Sequence, residues 1–418
     1  MMAQQTTPAP QGATVARDPR LIMDGSGLGG LVRGALRRLR SGELGPLPVL
    51  VGLIVIAGVF WSLNPKFLTA QNLSNLTLQI VAVGFMACGV IMVLLLGEID
   101  LSVGSVAGVC GVIVTLLAVN YQWNEIAAIV VAILAGTLIG TLHGTIFAKI
   151  GVPAFVVTLA GLIGWQGAQL YLLGPEGTIN VPYNGLIGAI THTYLVPAVG
   201  WGIGITAVAL YGLISVRGAR RRAAAGLPAK SVTEIGVRTA LLALPVLGGV
   251  WVLNSFRGVP VAFLLFVGVV VLFDLILRKT RYGRMVFAVG GSAEAARRAG
   301  INVDLIRISV FALASTLAGV GGILLVSRSY AVNQLTGGGD DLMMAIAAAV
   351  IGGTSLFGGR GSAYSALLGG LVLGAISSGL YLLQMDSSVR FMITAVVLLV
   401  AVILDAVSRR TRKAHARE

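Results

Sequence analysis

Long apolar runs, separated by short polar or basic stretches, recur along the chain from residue 47 to residue 407. A helix that crosses a bilayer needs about 20 mostly apolar residues. Runs of that kind are read at 47–63, 78–97, 103–119, 126–148, 155–173, 196–216, 239–253, 259–277, 306–326, 342–358, 362–383 and 391–407. The seventh and tenth are short and interrupted by glycine, which makes them candidates for re-entrant segments. The pattern therefore predicts an all-α polytopic membrane protein of 10–12 transmembrane helices, some broken or re-entrant. Residues 1–46 read as a polar, basic leader, with an interfacial helix over 31–40 where apolar and basic residues alternate. Residues 47–408 form the membrane domain and 409–418 a basic tail.

Charge orients these segments. If all twelve cross and both termini are cytoplasmic, 26 of the 30 Lys and Arg residues fall inside, and only Lys66, Arg257, Arg328 and Arg390 fall outside. The net charge of +14 is thereby accounted for by the membrane rather than by nucleic acid. Composition agrees: of 418 residues, 56% are hydrophobic and 11% charged. Soluble domains carry about 25% charged residues, so a water-soluble globule is excluded. Cys88 and Cys110 both lie in apolar runs and read as small packing residues.

Several chemistries are missing. None of the five lysines follows a glycine, so the chain has no P-loop for ATP. His143, His192 and His415 do not cluster along the sequence, and no metal site is expected. A G-x-G-x-x-G at Gly25, Gly27 and Gly30 sits in the polar leader without the strand it requires and reads as linker. Asp274 with Arg278, and Asp405 with Arg409, have the spacing of local helix pairs. Ionisable residues in mid-span, which an ion-driven carrier uses, are few; Glu98 and Asp100 alone fall at a break between apolar runs. That favours an external energy source. A carrier driven by an ion gradient stays open as a reading of another class.

Four stretches stand out: NPKFLTAQNLSNL (64–76), LLLGEIDLSVGSVAG (94–108), TRYGRMVFAVGGSAEAARRAGINV (280–303) and DDLMMAIAAAVIGGTSLFGGRGS (340–362). In the second, an apolar run stops at a polar turn and small residues reopen it. Backbone of that kind is tolerated at membrane depth only where protein or water meets it. Asp100, Ser102, Thr354 and Ser355 are accordingly candidates to line a pathway, and Trp165, Gln166 and Gln169 add an aromatic ring and amides suited to a sugar. The early and late breaks suggest a pseudo-symmetric pair.

Taken in order, the four stretches, with KIGVPAFVVTLAG (149–161), resemble the inner-membrane permeases of ATP-binding-cassette importers for simple sugars, over about residues 47–408. The insertion around RGARRRAAAGLPAK (217–230) looks like the xylose-type members, and the resemblance implies a pentose such as xylose. Related permeases for branched-chain amino acids or nucleosides stay open as alternatives. The resemblance further implies no catalytic residue, metal or cofactor on this chain, with ATP and magnesium held by a partner ATPase, a periplasmic sugar-binding protein, a homodimer of permeases, and a bacterial inner membrane location. Glu294, Ala295, Ala296 and Gly300 look like the EAA…G pattern, which implies that 280–303 forms a short cytoplasmic helix docked on the ATPase, with Gly283, Arg284 and Arg297 in the same coupling segment. Ser292 is placed to cap that helix, and Gly290, Gly291 and Gly300 to let the chain turn at its ends.

Overall fold

A computed structural model describes residues 47–227, 229–389, 391–397, 399–400 and 403. The leader with its interfacial helix, Asp405 with Arg409, and the basic tail lie outside the described residues. The helices are α1 (Leu47–Leu63), α2 (Ala70–Leu95), α3 (Val103–Thr115), α4 (Glu125–Thr145), α5 (Ala154–Leu173), α6 (Pro197–Ala224), α7 (Val232–Asn254), α8 (Val261–Lys279), α9 (Arg281–Gly291), α10 (Ala293–Arg298), α11 (Val303–Ser329), α12 (Gly339–Ile351) and α13 (Tyr364–Leu382). Two three-residue strands, β1 (Thr178–Asn180) and β2 (Ala331–Asn333), pair antiparallel with Ile179 opposite Val332. Among the described residues, nine helices are long and apolar enough to cross a membrane. Two shorter apolar helices, α1 and Ser387–Val397, flank them in sequence.

The chain divides into two compact units. One includes Gly202–Gly248, most of the α6–α7 hairpin with its basic turn. The seventh apolar run is here a full helix of 23 residues rather than a re-entrant piece. Hydropathy understated it because Glu234 and Arg238 interrupt the apolar pattern; they neutralise each other one turn apart, at 2.8 Å.

The other unit, Leu44–Trp201 with Gly249–Glu418, is built around α11. Small residues set its packing. Gly89 of α2 lies against the Ala314 backbone, and Gly321 lies against Met86 and Ala82, so α2 and α11 run antiparallel. Gly136 and Gly144 of α4 meet Ser315 and Ile308 in the same sense. Gly322 sits on the Ala107 carbonyl and Gly111 beside Val326, so α3 runs parallel to α11 and starts level with its middle. Without a hydrophobic force between helices in lipid, close backbone approach at small residues supplies the association. Cys88 and Cys110 are buried and unbonded to each other, in that packing role.

The NPKFLTAQNLSNL stretch is a structural clasp. Asn64 caps a short turn, Thr69 caps α2, the Asn64 amide donates to the Leu382 carbonyl at 3.1 Å, and Asn72 accepts from the Ser378 hydroxyl at 2.9 Å. These caps start α2 at Ala70, eight residues before the apolar run does.

The tenth apolar run is shorter as a helix than its hydropathy suggests. α12 has 13 residues, about 20 Å of rise against about 30 Å of hydrocarbon. The chain nevertheless covers the length of the bundle between α11 and α13. It leaves the end of α11 at Tyr330, at the level of the start of α2, and reaches Gly359, whose N–H donates to the Leu95 carbonyl at the end of α2, at 2.9 Å. A non-helical half, 331–338, made of β2 and a turn over 334–337, precedes a helical half, α12.

Candidate functional site

The two breaks are built as mirror halves. Residues 96–102, a turn at Leu96 and Gly97 followed by irregular chain, run without helix over the half of the bundle next to α9, and α3 then fills the other half. Residues 331–338 and α12 do the reverse. The N-termini of α3 and α12 therefore meet at mid-depth, where a Cβ on Gly337 would overlap the Gly104 carbonyl. Each start is matched by a carboxylate. Asp100 accepts from the Ser102 N–H at 2.8 Å, and Asp341, in the first turn of α12, accepts from the Gly337 N–H at 3.1 Å. Negative charge at the positive end of a helix is the favourable arrangement.

From Asp100 a buried chain of side chains runs outward to α5. The Trp165 indole N–H donates to His143 Nε2 at 3.0 Å. Indole is a donor only, so Nε2 is the bare nitrogen of a neutral imidazole and Nδ1 carries the proton. Nδ1 lies 3.3 Å from Ser102 Oγ, which donates to Asp100 Oδ1 at 2.6 Å. The order Trp165, His143, Ser102, Asp100 thus has one consistent direction of donation. Asp100 Oδ2 is buried without a partner. Next to this chain, the Gln169 amide donates to the carbonyls of Asn333 and Thr336, at 3.0 Å each, and joins α5 to the non-helical half of the late break. A groove of about 460 Å³ between α4 and α5 is walled by Leu142, Ile146, Val156 and Gly161, with His143 and Trp165 on it.

Of the seven pathway candidates, the structure brings Asp100, Ser102, Trp165 and Gln169 to this region. Gln166 is exposed on α5 and is not in the network. Thr354 and Ser355 lie apart from it, in the turn after α12, where the Ser355 N–H donates to the Arg360 carbonyl and Thr354 Oγ1 is buried without a partner. His143 joins this network without a signal in the sequence: its partners are 41 and 22 residues away, and no spacing links them.

The 280–303 stretch forms two helices rather than one. Thr280 caps α9 through the Gly283 N–H at 3.1 Å, and Ser292 caps α10 through the Ala295 N–H at 3.2 Å, as its position suggested. Gly283 is buried against Leu277, which lets α9 turn straight off the end of α8. Arg284, Glu294, Ala295 and Arg297 are exposed, and Ala296 is buried beneath α10. The Tyr282 hydroxyl lies 3.0 Å from Ser309 Oγ of α11, and burial pushes its phenol above the usual range, so it remains an uncharged tie. Arg298 pairs with Glu294 at 2.6 Å and Arg297 with Asp304 at 3.6 Å. Gly300 turns the chain after α10, with φ of +82°. Gly290 and Gly291 are not turn residues; both belong to α9.

Residues 72–402 match the family described as branched-chain amino acid transport system / permease component. The chain belongs to this permease family. The permease is 34% identical over 378 residues to the xylose transport system permease protein of Escherichia coli K12, covering 90% of this chain and 95% of that one. The corresponding Haemophilus influenzae protein is 32% identical over 374 residues, covering 89% and 99%. The ribose import permease protein of Escherichia coli K12 is 32% identical over 358 residues, covering 85% and 92%. No solved structure matches the permease.

Proposed function

We propose that this permease is the membrane-spanning subunit of an ATP-binding-cassette importer that carries a monosaccharide, a pentose such as xylose, across a bacterial inner membrane. The observation that carries the reading is the likeness to xylose-system permeases along nine-tenths of the chain. The chain performs no covalent chemistry in this reading. It works as a homodimer with a partner ATPase that binds ATP and magnesium, and a periplasmic binding protein delivers sugar to the loops 174–195 and 327–341, which β1 and β2 join. Both termini face the cytoplasm, as the basic residues favour. ATP binding closes the ATPase subunits on α9 and α10, where Arg284, Glu294, Ala295 and Arg297 offer an exposed polar face. Their displacement switches the helices between outward and inward exposure, a two-state element biased from both sides. Asp100, Ser102 and Gln169 supply the hydroxyl and amide chemistry near mid-depth.

The test is reconstitution of the permease with its ATPase and binding protein in proteoliposomes, screening pentoses, hexoses and branched-chain amino acids. Xylose is expected to stimulate ATP hydrolysis and to accumulate. An amino acid doing so instead would make the family description the better guide to substrate. Accumulation by the permease alone would replace the reading with a secondary carrier.

A further inference from the structure

α9 meets the rest of its unit at a point where three main chains touch with no side chain between them. The Leu95 carbonyl, at the end of α2, accepts from the Gly359 N–H at 2.9 Å. Gly290 faces the same carbonyl so closely that a Cβ would overlap it. A Cβ on Gly358 would stand 2.7 Å from the Gly290 carbonyl and 2.8 Å from the Gly97 nitrogen. Gly97, Gly358 and Gly359 hold φ of +81°, +79° and +69°, the left-handed region that glycine enters without penalty. Gly290, by contrast, is helical, so closeness rather than conformation requires a glycine there.

Each segment in this junction leads to one of the two breaks. Leu95 and Gly97 open the non-helical stretch that ends at Asp100 and the start of α3. Gly358 and Gly359 close the turn that hangs from the end of α12, where the Thr354 N–H donates to the Ala349 carbonyl at 3.1 Å. Side chains interposed at such a contact would absorb a small displacement by changing rotamer. Backbone packed on backbone transmits it.

We propose that Gly97, Gly290 and Gly358 are positioning residues of transport, forming the link through which displacement of α9–α10 reaches both helix breaks together. This rests on the docking role proposed for α9 and α10. α9 has other ties, among them the buried Val286 and Val289, Tyr282 to Ser309 on α11, and the Arg278–Asp274–Ser362 cluster at its root, which reaches the α12–α13 turn through side chains rather than main chain.

Two neighbouring glycines make the test. A Cβ on Gly291 meets nothing within 4 Å, whereas one on Gly290 meets the Leu95 carbonyl. The complete importer, permease with ATPase and binding protein, is reconstituted with wild-type permease, Gly290→Ala or Gly291→Ala, and xylose is the probe. Gly290→Ala is expected to retain its ATPase subunit and to hydrolyse ATP within about twofold of wild type. Its xylose uptake is expected to fall about tenfold or more, the scale on which small misplacements act. Gly291→Ala, whose Cβ meets nothing on this chain, is expected to keep the wild-type ratio of xylose uptake to ATP hydrolysed. Wild-type uptake per ATP by Gly290→Ala, or equal impairment of both variants, overturns the junction. Should Gly290→Ala fail to insert, hydrogen exchange of the wild-type complex decides. On ATP binding, peptides covering 93–102 and 354–361 must change protection together with 286–292, and a change confined to 281–303 overturns the proposal. If no part of 281–303 responds and no ATPase subunit binds, the docking reading itself fails and the junction with it, a result distinct from either of the others.

Discussion

His143 shows how much one side chain can organise. Replacing it with alanine removes the acceptor for Trp165 and the donor for Ser102, and leaves buried polar groups to be desolvated at about 1–3 kcal/mol each. His143→Ala and Trp165→Phe are expected to be non-additive by about 0.5–3 kcal/mol, because they act on one chain of hydrogen bonds. Thermal unfolding of the single and double variants in detergent measures this; strict additivity would show the chain to be unimportant. A second contrast concerns packing. Gly322→Ala forces a methyl onto the Ala107 carbonyl and is expected to cost about 1–3 kcal/mol. Gly268→Ala, in α8 with nothing near its Cβ, is expected to be neutral or to gain up to about 1 kcal/mol. Gly322 does sit in a run of small residues, with Ala318 four before it, where Gly268 has Leu264, but that spacing does not name the partner. What separates them is a neighbour on another helix, which a linear pattern does not record.

Among the helices, hydropathy located the long ones because twenty apolar residues have few alternatives to a bilayer helix. It failed in two characteristic ways. It started α2 late, since Gln71, Asn72 and Ser74 look like loop residues until their caps and the α13 partner are seen. It ran the tenth segment on to 358, because the small and apolar residues Gly352, Gly353, Leu356 and Phe357 score as membrane whether or not their backbone is helical. The break at 98–102 was legible, since Glu98 and Asp100 interrupt the apolar run, whereas its meeting with Gly337 was not. α9 and α10 illustrate a division of labour that is testable at the same scale. The Glu294–Arg298 pair is highly exposed on both sides and contributes little to stability, under about 1 kcal/mol. Glu294→Lys is therefore expected to insert and accumulate normally while transport with the ATPase is lost. Normal uptake by that variant would remove α10 from the docking surface. Ser292→Ala, which deletes the α10 cap, is expected to cost about 1 kcal/mol locally and to weaken ATPase binding, read by co-purification.

Across the whole molecule, half-and-half construction at both breaks constrains how the permease can move. Residues 96–102 and 331–338 carry main-chain amides and carbonyls outside any helix, and turns and the β1–β2 pair satisfy only some of them. In hydrocarbon each unmet group costs several kcal/mol. The unmet groups of these strips must therefore face protein or water, and never acyl chains, throughout any cycle. Whatever opens and closes must do so by carrying each strip along with the helix it leads into, α3 or α12, so that the moving parts are whole blocks and the hinges lie elsewhere.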